Sequence, residues 1–142
     1  VTPSHEILHA TCVAVAGRGL LILGASGSGK SALALRLISR GAALVSDDLT
    51  RLDLNHETLV ARCPNLDLAG VIEARGTGIL RAPSVESTEV VLAVDMGRIE
   101  SDRLPPVRTI TILGCAVDLV LRVPYDHFPD ALMLYLRHGR QA

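Results

Sequence analysis

The eight residues Gly24-Ala25-Ser26-Gly27-Ser28-Gly29-Lys30-Ser31 fit the pattern G-x-x-x-x-G-K-[ST] in full. A short apolar run, residues 20–23, precedes them, and a stretch of Ala, Leu and Arg at helical spacing follows. That is the strand-to-helix context in which the pattern has a mechanism: glycines let the backbone curl so that successive N–H groups face phosphate oxygens, and the helix N-terminus adds positive charge. Lys30 would bridge the β- and γ-phosphates of a nucleoside triphosphate, and the Ser31 hydroxyl would ligate magnesium. ATP and Mg2+ are therefore the expected cofactors. Lys30 is the one lysine beside thirteen arginines, and its ammonium is expected to touch ligand phosphates alone. The competing reading is a glycine-rich turn with an incidental lysine, which random draws at this composition yield on the order of once in a thousand such chains.

A second constellation follows the loop. Asp47-Asp48 closes a small apolar run, residues 42–46, and so is expected at the carboxyl end of the next strand, where ligands of open α/β sheets gather. Two adjacent acids permit a division of labour, one on the metal and one accepting a proton from a nucleophilic hydroxyl. An Asx-type turn is the structural alternative. His9 stands two residues before the first expected strand, with no partner visible in sequence. Glu73 and Arg75 alternate on an apolar strand that runs into Gly76-Thr77-Gly78, where missing side chains let backbone pass close to a ligand. Spacing alone leaves that pair open between a site and a solvated strand face.

These residues must be held by a modest chain. Its 142 residues, 49% hydrophobic and 20% charged, fit one compact domain, residues 1–142, with a core of its own. Fourteen basic against fifteen acidic residues leave no broad cationic surface for a nucleic acid. With no Trp, two Tyr and one Phe, there is no stacking platform for single-stranded bases either. Cys12, Cys63 and Cys115 show no zinc-site spacing and read as buried small hydrophobes in a reduced compartment. No leader and no apolar run of the ~20 residues that cross a bilayer is visible, so a cytoplasmic chain without membrane attachment is expected.

Residues 11–16 and 20–23 read as a hairpin around Gly17-Arg18-Gly19, and residues 30–40 as a helix ended by Gly41. Strands are expected at 42–46, 49–54, 57–63, 71–75, 89–95, 109–113 and 117–123, and a last short helix at 129–137. Residues 81–88 read as a loop and 96–108 as the longest exposed connection. The fold class is α/β, a mixed sheet with an attached β-rich part.

Together, His9, the strand-turn-strand, residues 24–31, Leu44-Val45-Ser46-Asp47-Asp48 and Gly70-Val71-Ile72-Glu73-Ala74-Arg75-Gly76-Thr77-Gly78-Ile79 resemble, in order and spacing, the catalytic domain of HPr kinase/phosphorylase. The resemblance spans about residues 5–114. That bifunctional enzyme phosphorylates a serine on the phosphocarrier protein HPr and removes it by phosphorolysis. The resemblance implies that His9 is an active-site histidine and that Asp47 is the base of phosphorylation and the acid of phosphorolysis. Asp48 would support Asp47 and, with Ser31 and Glu73, help hold magnesium. Arg75 would belong to the signature segment near the protein substrate. It also implies the P-loop kinase fold of the phosphoenolpyruvate carboxykinase-like type, and a homo-oligomer, usually a hexamer.

Two departures accompany the resemblance. The resemblance is to short forms such as those of alphaproteobacteria, so the family's usual N-terminal domain is expected to be absent. The family's arginine-bearing P-V-R-P-G-R-N loop is replaced by Val123-Pro124-Tyr125-Asp126-His127-Phe128-Pro129, which implies weak phosphorolysis. The expected activity is ATP- and Mg2+-dependent serine phosphorylation of an HPr-like phosphocarrier protein. Two rivals stay open at this point: a small-metabolite P-loop kinase, whose arginine-rich lid could only come from residues 97–108, and a non-catalytic ATP-sensing regulatory module.

Overall fold

The computed structural model describes residues 4–142. In chain order the elements are β1 (His5–Leu8), β2 (Ala10–Val15), β3 (Arg18–Leu23), α1 (Lys30–Ser39), β4 (Ala43–Ser46), β5 (Thr50–Asn55) and β6 (Thr58–Arg62). They continue with β7 (Val71–Ala74), β8 (Gly78–Arg81), β9 (Ser87–Ile99), β10 (Arg108–Ile112), β11 (Cys115–Arg122) and α2 (Phe128–His138). Nine strands form one mixed sheet in which β1-β5-β6-β9-β3-β2-β4 are neighbours and the β10–β11 hairpin attaches through β11 to β9. β7 and β8 make a separate two-stranded ribbon.

The β2–β3 hairpin turns at Ala16-Gly17, both at positive φ (53° and 76°), the twist that two-residue turns between right-twisted strands require. The turn is thus one residue earlier than expected, and Arg18 and Gly19 already belong to β3. Glycine at 19 is a packing requirement: a Cβ there would meet the Glu89 carbonyl oxygen at 2.5 Å, where β3 shifts register against β9.

Direction matters most for the site. β2 is antiparallel to both β3 and β4, and β9 is parallel to β3. The carboxyl ends of β3 and β4 therefore open on one edge of the sheet, with Asp95 of β9 in register with Leu23. The loop 24–29 and the Asp47-Asp48 pair emerge side by side there.

The sheet is buried on both faces. Val13, Leu20, Ile22, Leu92 and Val94 pack under Leu33 and Leu37 of α1 and Leu132 and Leu136 of α2. The alternate residues Cys12, Leu21 and Ala93 pack against Leu52, Leu59, Val117 and Leu119. Each fully buried Leu or Val contributes about 1.5–3 kcal/mol, so the strand pair carrying the glycine-rich loop is anchored by buried apolar side chains on both faces.

The structure corrects four expectations. β1 precedes His9, so His9 lies between two strands rather than ahead of the first. Residues 78–81 form a strand of wholly exposed residues. β9 continues to Ile99, which shortens the exposed connection to residues 100–107. Cys12 is buried, but Cys63 and Cys115 are only half-buried.

Candidate active site

The glycine-rich loop is closed by its own small residues. Gly24 has φ 151°, and a Cβ there would lie 2.5 Å from Ser28 Oγ and 3.1 Å from Met96 Cβ. Ser28 N–H donates to the Ala25 carbonyl at 3.0 Å, and Met96, nearly buried, fills the space beneath. Lys30 is only 8% exposed. Its Nζ donates to the Gly24 carbonyl at 2.6 Å and the Ala25 carbonyl at 3.1 Å. The ammonium therefore does not wait for a ligand alone, as the sequence suggested. A charged donor within reach of two loop carbonyls takes them.

Asp47 joins three elements. Its Oδ1 accepts the Ser31 hydroxyl at 2.7 Å, from the first turn of α1, and the Thr11 hydroxyl at 3.0 Å, from β2. Thr11 Oγ1 in turn accepts the Asp48 N–H at 3.3 Å. Asp48 has φ 67°, a left-handed conformation that Asp tolerates better than most residues. It turns the chain so that Asp47 is half-buried while Asp48 is exposed. Thr11, thirty-six residues from Asp47, was not legible as a site residue.

A cavity of about 350 Å³ lies beside the loop, with Ser26, Lys30, Ser31, Asp48, Glu73 and Arg75 on its wall. Ile72 and Ala74 of β7 point inward and are buried, so the alternate positions Glu73 and Arg75 face out toward the loop. Asp47 and His9 are not on this wall; His9 is exposed, two residues from Thr11. Asp95 stands nearby but is already engaged. Its carboxylate accepts Arg98 Nε and Gly97 N–H, each at 2.8 Å, and the Arg98 hydrogen bond is the main cause that holds its carboxyl below the usual range.

Among the described residues, no three His, Cys, Asp or Glu side chains converge as a metal cage of their own. The oxygen donors Ser31, Asp48 and Glu73 nevertheless border one space. Magnesium is commonly held by one or two carboxylates with the remaining positions left to phosphates and water, and this donor set fits that pattern. Ser31 gives its proton to Asp47, which leaves its oxygen lone pairs free for a cation.

On the other flank of α1 a second cavity, about 260 Å³, is walled by Ser28, Arg36, Met96, Arg122, Tyr125 and Asp126, among others. Arg36 and Arg122 are charges that the sequence did not single out. Arg103, by contrast, borders a different depression with Glu100 and Asp102, and Arg108 is paired with Glu100 at 2.9 Å. The 100–107 connection thus brings no arginine to the wall of the Lys30 cavity.

The description "HPr Serine kinase C-terminal domain" belongs to a family model that matches residues 2–99. The HPr kinase/phosphorylase of Variovorax paradoxus is 46% identical over 74 residues, a match spanning 51% of this chain and 23% of that protein. That of Clostridium acetobutylicum is 40% identical over 86 residues, 61% of this chain and 28% of the relative. The match thus spans about a quarter of the length of these curated relatives. The solved structure of the Hpr(Ser) kinase/phosphatase from Coxiella burnetii superposes with a TM-score of 0.78 at 30% identity, covering 95% of this chain and 96% of that one. With well over half of its residues matched by the family model and its sheet shared with a solved member, the chain belongs to the HPr serine kinase C-terminal domain family.

Proposed function

We propose that residues 1–142 act as one ATP- and Mg2+-dependent serine kinase domain on a small HPr-like phosphocarrier protein, in the cytoplasm and as a homo-oligomer, by family resemblance a hexamer. The observation that carries this reading is the convergence of Lys30, Ser31, Asp48, Glu73 and Arg75 on one cavity beside the anchored Asp47. The reading includes the strand-loop-helix of residues 18–39 as a P-loop of the phosphoenolpyruvate carboxykinase-like type.

Phosphoryl transfer asks little covalent chemistry of a protein; positioning and charge neutralisation do most of the work. Backbone N–H groups of residues 24–31 cradle the phosphates, and Lys30 exchanges its two loop carbonyls for phosphate oxygens. Ser31, Asp48 and Glu73 hold magnesium, which when bound supplies further neutralisation of phosphate charge. Asp47 has both hydroxyl contacts on Oδ1, so Oδ2 is the oxygen free to take the proton of the substrate serine. Arg75, exposed on the cavity rim, meets the incoming protein. His9, exposed beside β2, is the active-site histidine that the family resemblance implies.

The test is transfer of the terminal phosphate of ATP to a panel of HPr-like proteins, sugars and nucleosides. Transfer to a serine of an HPr-like protein is the expected result. Transfer only to a small metabolite, or ATP binding without transfer to anything, would replace this reading by one of its rivals.

A further inference from the structure

Gly29 and Ala32 lie on the walls of both cavities that flank the start of α1. A polyphosphate seated in the loop between them has one end toward each. The Lys30 side carries Asp48, Glu73 and Arg75, the groups suited to a terminal phosphate, its cation and its acceptor. The opposite side has a different chemistry: an aromatic ring, two guanidinium groups and a carboxylate around a mainly uncharged floor. At about 350 and 260 Å³, each cavity alone is near the lower end of the ~300–1,000 Å³ usual for ligand clefts, so neither has room to spare for an entire nucleotide.

We infer that the cavity between α1 and residues 122–129 holds the nucleoside half of the bound nucleotide, with its base stacked on Tyr125. This deepens the proposed function and rests on the reading that residues 24–31 hold phosphates. Tyr125 is 66% exposed, and one face of its ring is stacked on His127, centroids 5.8 Å apart at 22°. A flat base can take the open face. Arg36 and Arg122 take part in none of the ion pairs among the described residues, so both guanidinium groups are free for the phosphate nearest the sugar. Asp126 is likewise free to accept a sugar hydroxyl or a base amino group. Ser28 Oγ, at the junction with the loop, is the one buried side-chain polar atom without a hydrogen-bond partner among the described residues, and a small shift of the loop would expose this donor to a ligand oxygen. The whole wall from Arg122 onward lies past residue 99, where the family match ends. Nucleoside recognition here combines Ser28 and Arg36, inside that match, with Arg122, Tyr125 and Asp126, outside it.

The two halves separate experimentally, because pyrophosphate needs only the loop whereas ADP needs both cavities. Calorimetric titrations with Mg2+ compare ADP and pyrophosphate on the unaltered chain, Tyr125→Ala and Lys30→Met. Tyr125→Ala is expected to weaken ADP roughly tenfold, the scale of losing one aromatic–base stack, and to leave pyrophosphate within twofold. Lys30→Met is expected to weaken both. ADP affinity unchanged in Tyr125→Ala, or ADP binding no tighter than pyrophosphate to the unaltered chain, would overturn the nucleoside assignment and leave the phosphate loop standing. Equal weakening of both ligands by Tyr125→Ala would overturn it too. An unaltered chain that binds neither ligand would remove the loop reading as well.

Discussion

Ser31, in the first turn of α1, donates its hydroxyl to Asp47 Oδ1 at 2.7 Å and so ties the glycine-rich loop to the end of β4. Thr11 holds the same oxygen from β2 at 3.0 Å. The acid is fixed from two sides, and one carboxylate oxygen stays open. Asp47→Asn retains the shape and an oxygen for both hydroxyls but removes the proton acceptor. Phosphoryl transfer is expected to fall by roughly the 10²–10⁴-fold typical of losing a general base, with ATP affinity retained. Full activity would move the acceptor to Asp48 on the cavity wall. Loss of ATP binding would instead mark Asp47 as a holder of the cation.

Lys30 spans the loop it serves, through the Gly24 and Ala25 carbonyls. Lys30→Ala is therefore expected to abolish ATP binding and also to cost about 1 kcal/mol of stability, since charge-assisted contacts to the loop are lost. Calorimetric ATP titration and urea unfolding measure the two effects. Normal ATP affinity in the variant would contradict the loop's assignment.

Direction of reaction is a matter of charge. Phosphorolysis brings inorganic phosphate beside a phosphoserine, so it needs more positive charge than transfer to a neutral serine. On the wall of the cavity with Asp48 and Glu73, the cationic side chains are Lys30 and Arg75, while Arg36 and Arg122 face the neighbouring one. The chain is expected to be a poor phosphorylase. Incubation with the phosphoserine form of the carrier and millimolar phosphate checks this, and pyrophosphate release as fast as the forward reaction would contradict it.

What the sequence revealed was local. The loop, α1, the Asp47-Asp48 turn and the alternation that exposes Glu73 and Arg75 are short-range patterns, and each appears where its spacing placed it. β1 escaped because four residues carry too little alternation to register, and β8 because all four of its residues are exposed. The end of β9 was hidden by Gly97 and its charged neighbours, which read as a loop although Arg122 pairs with Ile99 there. Thr11 beside Asp47, and Arg36 beside Arg122, are meetings across the sheet and across α1. No single-sequence periodicity encodes such meetings.

Away from the site, Asp53 tests the sheet's electrostatics. Its hydrogen bond with Arg51 at 3.0 Å, aided by Arg62 at 3.5 Å, holds its carboxyl below the usual range. A carboxyl with a lower folded than unfolded pKa adds stability above its unfolded value of about 4 and loses it as pH falls through the lower folded value. Asp53→Asn is expected to flatten the acid side of the stability curve, read as urea midpoints at neutral pH and below pH 4. An acid slope equal to that of the unaltered chain would contradict the pairing.

The most direct measurement is mass spectrometry of an HPr-like protein incubated with the chain, ATP and Mg2+. One added phosphate mapped to a single serine, lost when Lys30→Met replaces the unaltered chain, is the predicted result. An unmodified carrier in the presence of a chain that binds ATP normally would contradict kinase function.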